Sequence, residues 1–321
     1  MRNEFAAEVT DLGKEDPRVV MLSGDIGNKL FDKFKAVAET RFFNCGVAEA
    51  NMMGVAAGMA LSGLRPVVYT ITPFTTTRCL EQIRVDVCYH NAPVVIVGTG
   101  SGLSYAELGP THHSLEDLAI LRSLPGMTVL APCDATEVRM GLRAAIAHDG
   151  PVYMRIGKKG EPDIHTTRPD FKIGRSITVR HGTDVCLLNA GSTMPVALAA
   201  ADQLAAKGLS VRVESFHTIK PLDTATLTDV FSNYAVVATI EEHSLIGGLY
   251  GAIAEWRCAH VDRGAALVGF GTADEFMHEV GSQDYARRRF GLTAEQIASR
   301  VLARLAQQGQ ADATGTARPG A

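Results

Sequence analysis

Residues 46–61 read Gly46-Val-Ala-Glu49-Ala-Asn-Met-Met-Gly-Val-Ala-Ala-Gly-Met-Ala-Leu61. At 3.6 residues per turn this run is apolar on nearly every side, which predicts a helix over Val47–Ser62 that is covered all round. Ala50, Gly54 and Gly58 recur at every fourth position, so a second helix can approach closely, as in tight packing or an obligate subunit interface. Glu49 is the only ionisable side chain in the run. A carboxylate with Gly46, Met52 and Met53 as helical neighbours is costly unless it is paired, protonated or used. Burial raises a carboxyl pKa, which suits an acid that holds and shares a proton near neutral pH. The competing reading is an ordinary first-turn glutamate favoured by the helix dipole. Helix physics alone leaves the two readings level.

Outward from this helix, short β-rich runs alternate with helical stretches. Strands are expected at Arg18–Leu22, Pro66–Ile71, Pro93–Val97, Thr128–Leu130 and Val152–Arg155. Helices are expected at Val47–Ser62, Thr75–Tyr89 and Ala135–Ala147. Such alternation predicts βαβ units on a parallel sheet. Gly157–Arg180 is rich in Lys, Gly, Pro and Thr and reads as a linker. The alternation then restarts, with strands at Val185–Asn189, Val211–Ser215, Ala235–Ile240 and Ala266–Phe270. Helices at Ser192–Ala206, Gly248–Cys258 and Thr293–Ala306 accompany them. The expected fold class is therefore α/β, with two domains, each a mainly parallel sheet flanked by helices. Residues 1–172 form the first, 173–306 the second, and 307–321 are expected to be a disordered tail.

Composition narrows the function. The chain has 321 residues, 46% hydrophobic and 21% charged, the balance of a globular protein with a sizeable core. A net charge of -4 offers no basic surface for nucleic acid. No apolar run of about 18 residues spans a membrane, and the acidic start MRNEFAAEV is not a signal peptide. The six cysteines are scattered, with no CxxC pair and no metal-ligand spacing, so a reducing cytoplasm and no metal site on this chain are expected.

Other residues suit chemistry. In Gly109-Pro-Thr-His112-His113-Ser114-Leu-Glu116-Asp117, Ser114 and Asp117 look like a capping box, placing His112 and His113 just before a helix N-terminus. The dipole there favours neutral imidazole, able to hydrogen-bond a substrate oxygen. A pair of surface histidines is the alternative, and no third ligand suggests zinc. Gly98-Thr-Gly-Ser-Gly102 is either a flexible loop or a weak phosphate cradle. His243 closes a strand in Glu241-Glu242-His243, at the end where α/β proteins place sites.

In order, these segments resemble the C-terminal two-thirds of transketolases and of deoxyxylulose-phosphate synthases. The resemblance runs through Gly24-Asp25, the Glu49 helix, Pro73-Phe74 with Glu81-Gln82-Ile83-Arg84, and Gly109-Pro-Thr-His112 with Glu116-Asp117. It continues through Pro125–Pro132, Pro151-Val-Tyr-Met-Arg155, Ile240–His243 and Gly247-Gly248, and covers roughly residues 3–305. It implies a thiamine-diphosphate enzyme whose cofactor lies between two chains. Glu49 then hydrogen-bonds the aminopyrimidine nitrogen, the cofactor acts as electron sink, and a two-carbon ketol unit passes from a ketose to an aldehyde. Phe74 would stack on the pyrimidine, Asp25 would line the cofactor pocket, and His112, Arg155, Arg78 and His243 would meet substrate. Arg155 is aligned with a family arginine that holds substrate phosphate.

The chain lacks the family's Gly-Asp-Gly motif, since Gly24-Asp25 is followed by Ile26. The resemblance therefore implies a split enzyme, in which a separate N-terminal subunit holds the diphosphate and its Mg²⁺ or Ca²⁺, assembled as α2β2. A family histidine is replaced by Gly100 and a family acid by Leu108, which puts the usual pentose phosphate in doubt. Competing readings are the β subunit of a 2-oxo-acid dehydrogenase first component, a deoxyxylulose-phosphate-synthase-like enzyme, and a non-catalytic scaffold subunit.

Overall fold

The computed structural model describes residues 1–313. Helix α1 (Arg2–Glu15) leads into β1 (Val19–Ser23), α2 (Asp32–Val37) and the edge strand β2 (Phe42–Asn44). Helix α3 (Glu49–Leu61) and β3 (Arg65–Ile71) follow, then α4 (Thr72–Thr75), a 3-10 turn (Thr77–Cys79), α5 (Leu80–Gln82) and a π-helical run (Ile83–Tyr89). The first half closes with β4 (Val95–Thr99), α6 (Asp117–Arg122), β5 (Thr128–Leu130), α7 (Ala135–Ala147) and β6 (Val152–Ile156). The second half holds β7 (Ile177–Arg180), β8 (Val185–Ala190), α8 (Met194–Ala205), β9 (Val211–Ser215), β10 (Thr218–Lys220) and α9 (Thr224–Asn233). It ends with β11 (Val236–Ser244), α10 (Leu249–His260), β12 (Ala266–Thr272), α11 (Gln283–Arg289) and α12 (Ala294–Ala313).

The fold is two mainly parallel sheets with helices on their faces. The first runs β10-β5-β6-β4-β3-β1-β2 and the second β12-β11-β8-β9-β7. β1, β4, β6 and β8 are buried along their whole length, as expected of parallel strands covered on both sides. Among the strands of the described residues, β10 on β5 and β7 on β9 pair antiparallel and the others pair parallel. β10 thus belongs to the first sheet although it follows three strands of the second. The proposed boundary at residue 173 divides the two sheets except for β10. One buried cluster runs through both halves, joining Leu118 and Leu121 to Phe216, Ile219, Leu249 and Ile253.

Three expectations change here. The stretch read as a linker contains β7, an edge strand too short for its alternation to stand out. The helix expected over Thr75–Tyr89 is broken. Thr75 and Thr76 hydroxyls donate to Thr72 O and the Thr77 hydroxyl to Pro73 O, competing with the helical ladder. At the C-terminus the helix passes Ala306 and reaches Ala313, so residues 307–313 are helical rather than a disordered tail. Residues 314–321 of that expected tail lie outside the described residues.

α3 forms as expected but is not covered all round. Met52, Met53, Ala56 and Ala60 face the core, whereas Val55 (41%) and Leu61 (59%) are exposed, with Val47 (79%) just before the helix. In the small-residue stripe, an added Cβ on Gly54 would come 3.6 Å from Asp86 Oδ2, and one on Gly58 would meet open space.

Candidate active site

Loops at the carboxyl ends of β1 and β2 deliver Glu49. Asp25 N–H donates to Gly46 O (3.0 Å), Asn44 Nδ2 donates to Asp25 Oδ1 (3.0 Å), and Gly46 N–H donates to Asn44 Oδ1 (2.9 Å). Gly46 sits at φ +67°, a conformation that glycine adopts without strain. The chain then enters α3 at Glu49, with Ala48 at the N-cap offering no side-chain cap. Glu49 is 5% exposed, and its Oε2 lies 2.9 Å from Arg78 Nη1. The Arg78 guanidinium in turn lies 4.0 Å from the Phe74 ring centroid. The broken segment after β3 therefore brings a ring and a cation to the carboxylate.

His112 joins this cluster edge-on to Phe74, 5.4 Å between ring centroids, and 6.1 Å from Tyr105. Thr111 Oγ1 lies 2.9 Å from its Nδ1. The expected capping box does not form: α6 starts at Asp117 with Glu116 as an uncapped N-cap, and Ser114 Oγ is buried without a partner. Asp117 accepts instead from the Tyr153 hydroxyl at 2.5 Å. His113 points inward, and its pKa falls through burial rather than through a helix dipole.

Two expected substrate contacts lie elsewhere. Arg155 is 5% exposed, donates to Glu242 O (3.0 Å) and Ser114 O (3.4 Å), and has its Nε 3.4 Å from Asp117 Oδ2. Its Nη2 and Nε are thus engaged inside the junction of the two halves. His243 is fully buried there, with its Nδ1 donating to Ser244 O (2.7 Å) and Nε2 accepting from Ala119 N–H (3.3 Å). Burial lowers its pKa to about 4, so it is neutral. Alignment with a family arginine flagged Arg155 and strand-end position flagged His243, and in the structure both are buried where the two halves meet.

The sequence reading passed over one neighbour of the cluster. Lys158, just past β6, lies 4.6 Å from the Tyr105 ring centroid and pairs with Glu107. Tyr105 in turn fills the space beside Gly100: a Cβ there would meet the ring at 1.9 Å. Gly102, at φ +62°, packs against Glu242, where a Cβ would come within 2.5 Å of another side-chain atom. The Gly98–Gly102 loop is thus tightly packed, neither flexible nor a phosphate cradle. Its glycines signal close approach, a meaning the sequence did not separate from mobility.

Comparison with known proteins agrees with this geometry. Residues 1–161 match the family "Transketolase, pyrimidine binding domain" and residues 174–297 "Transketolase, C-terminal domain". The chain is 36% identical to the 6-deoxy-6-sulfo-D-fructose transketolase subunit SqwH of Clostridium sp. (strain MSTE9), covering 92% of each chain. It is 34% identical to an apulose-4-phosphate transketolase subunit of Phocaeicola vulgatus, over 79% of this chain and 82% of that one. A solved structure described as "Split gene transketolase, inactive beta4 tetramer" superposes with a TM-score of 0.86 at 34% identity, over 95% of this chain and 97% of that one. Both halves of the sequence and the fold that joins them place this chain in the thiamine-diphosphate-dependent transketolase family, as a subunit of the split type.

Proposed function

We propose that this chain is the C-terminal subunit of a split transketolase that moves a two-carbon ketol unit from an anionic ketose to an aldehyde. The observation that carries this reading is the buried Glu49 carboxylate beside the face of Phe74. The residues present fit an aminopyrimidine. Arg78, a flat delocalised cation with N–H donors, already lies on Phe74 and donates to Glu49, and an aminopyrimidine ring offers the same flat face and a nitrogen for the carboxyl. When bound, thiamine diphosphate supplies the carbon nucleophile and electron sink.

Glu49 is the residue that shares a proton with the pyrimidine nitrogen, and Phe74 fixes the ring plane. Asp25 braces the loop that leads to Glu49 and lines the cofactor pocket. His112 has its Nδ1 at Thr111 and keeps Nε2 for the ketol oxygens. Lys158 and Arg78, both more exposed than Arg155, are the cations proposed to meet a substrate anion. Support for an anionic sugar comes from the two relatives, which are named for a sulfo-sugar and a sugar phosphate.

The Gly-Asp-Gly motif is missing from the sequence, so a partner subunit is proposed to hold the diphosphate and its Mg²⁺ or Ca²⁺ in an α2β2 assembly. The exposed apolar face of α3, with Val47, Val55 and Leu61, is proposed as part of the interface. The description of a β4 tetramer as inactive supports a need for the partner. No helix among the described residues is long and apolar enough to cross a membrane, and free thiols suit the proposed cytoplasmic location.

The deciding experiment is Glu49→Gln, assayed with the partner subunit, cofactor and metal. Turnover is expected to fall by about 10²–10⁴-fold while the complex still assembles. Near-normal turnover would sink the mechanism, and acyl transfer from a 2-oxo acid to lipoamide would move the chain to the dehydrogenase reading. The isolated chain is expected to bind thiamine diphosphate weakly in calorimetry. Tight, Mg²⁺-dependent binding would contradict the split.

A further inference from the structure

We infer that Cys133, Glu137 and His165 form a binding site for one divalent transition-metal ion of the zinc class. This site is separate from the Glu49 cluster and does not rest on the ketol-transfer reading. Cys133 precedes α7 and Glu137 lies in its first turn, so the two are four residues apart and share one side of the helix start. His165 comes from the segment between the two halves, which lays its chain over that helix start. Its Nε2 is 2.9 Å from Glu137 Oε1 and 4.0 Å from Cys133 Sγ, and the three donor atoms lie within 4.8 Å of one another. Tetrahedral zinc holds sulfur at about 2.3 Å and nitrogen or oxygen at about 2.0–2.2 Å, so its ligand atoms stand roughly 3.3–3.7 Å apart. The two His165 separations, 2.9 and 4.0 Å, fall on either side of that range, and closing the set onto an ion needs shifts of up to about an ångström.

Charge gives a second, independent reason. Glu137 and Asp134 are both fully buried. Among the described residues, the ion-pair partner of Glu137 is His165, and Asp134 has no lysine or arginine partner. Asp134 is held by three backbone N–H groups, those of Glu137, Ile164 and His165. Two buried carboxylates with one imidazole leave negative charge in a low-dielectric place, which a dication offsets. His217 adds a further donor nearby: it is fully buried, its Nε2 has no hydrogen-bond partner, and it lies in the electrostatic field of Glu137.

The surroundings hold the ligands as metal sites require. Glu137 Oε2 accepts from Cys133 N–H (2.7 Å) and Ser215 Oγ (3.0 Å), leaving Oε1 toward His165. The Asp134 carboxylate fixes the backbone of His165 at 2.9 Å. Binding exchanges the Cys133 thiol proton and the His165 Nε2 proton for the metal, so uptake releases protons and strengthens as pH rises. The ion would tie α7, the connecting segment and, through Ser215, the second half.

The test uses the full chain, stripped with a chelator and titrated with Co²⁺. One equivalent is expected, with a near-ultraviolet thiolate-to-cobalt band and visible bands of tetrahedral intensity, both displaced by Zn²⁺. Cys133→Ser should remove the near-ultraviolet band, and His165→Gln should weaken binding by at least about tenfold. Zn²⁺ should raise the Tm of the wild type and not of the variants. Cys45 is partly accessible and Cys258 exposed, so a thiolate band that survives in Cys133→Ser would place the metal elsewhere and overturn the site. A folded wild-type chain that takes up no Co²⁺ or Zn²⁺ would also overturn it, leaving an imidazolium–carboxylate pair between His165 and Glu137.

Discussion

Glu49 and Asp117 are both carboxylates at the first residue of a helix, 5% and 1% exposed, yet their surroundings differ in kind. The counterion of Glu49 is Arg78, whose side chain is 43% exposed and rises from a broken helix. The partners of Asp117 are Tyr153 and Arg155, both buried at the junction of the two halves. One acid can exchange its partner for a ligand at little cost, and the other cannot. Burial of a carboxylate is therefore a poor signature of a site, whereas burial beside a partner free to leave is a better one.

The contrast breaks first on substitution. Arg155→Ala leaves Asp117 without its guanidinium in a closed interior and should cost about 3–5 kcal/mol of unfolding free energy. Urea unfolding of the isolated chain measures this. A loss under about 1 kcal/mol would mean that Arg155 is not part of a locked network. Glu49→Gln should show the reverse pattern: its pair is with a largely exposed arginine, so stability changes by about 1 kcal/mol or less while turnover collapses.

A smaller effect separates the two groups at the junction by pH. Burial raises Glu241 to about 7, and burial lowers His243 to about 4. Folded Glu241 keeps its proton where the unfolded chain has lost it, so its contribution is fully present below about 4.5 and is lost as pH rises toward 7. Folded His243 stays neutral where the unfolded chain is protonated, so its contribution is present above about 6.5 and is lost as pH falls toward 4. Between about 4.5 and 6.5 the slopes oppose, and the wild type should be nearly flat from these two groups. Glu241→Gln keeps an acceptor for one of the Leu249 and Tyr250 N–H groups, and removing the titrating carboxyl should uncover the histidine slope, up to about 1.4 kcal/mol per pH unit, rising with pH. A variant as flat as the wild type would show that Glu241 does not titrate in this window.

Much of the architecture was legible in the sequence because parallel strands buried on both faces read as unbroken apolar runs, as in Val19–Leu22, Val94–Val97 and Val185–Leu188. β2 and β7 escaped because edge strands carry mixed side chains, and β10 because three residues have no period. The cluster around Glu49 was legible through spaced motifs, not through any one residue's physics. The burial of Arg155 and His243 was not legible, because neither an aligned motif nor a strand end tells in sequence whether another segment packs over it. Cys133, Glu137 and His165 escaped because a scan by cysteine spacing cannot see a donor carried in by a distant segment.

The smallest expected effect sharpens the comparison most. Arg78 now occupies the face of Phe74 and one oxygen of Glu49, so a pyrimidine must displace it. A cation–π contact at a half-exposed position contributes about 0.5–1 kcal/mol, and an ion pair with an exposed member about 0–1 kcal/mol. Arg78→Met should thus tighten apparent cofactor affinity in the reconstituted enzyme by up to about tenfold, since 1.4 kcal/mol is a factor of ten. The KM for ketose decides where the guanidinium goes after displacement. If the displaced guanidinium turns to substrate, as the family resemblance implies, that KM rises in the same variant. If cofactor affinity and KM both stay at wild-type values, Arg78 is neither a placeholder nor a substrate contact. The Glu49–Arg78 pair would then carry no measurable weight at the site, and a partner that must be displaced would no longer be what sets Glu49 apart from Asp117.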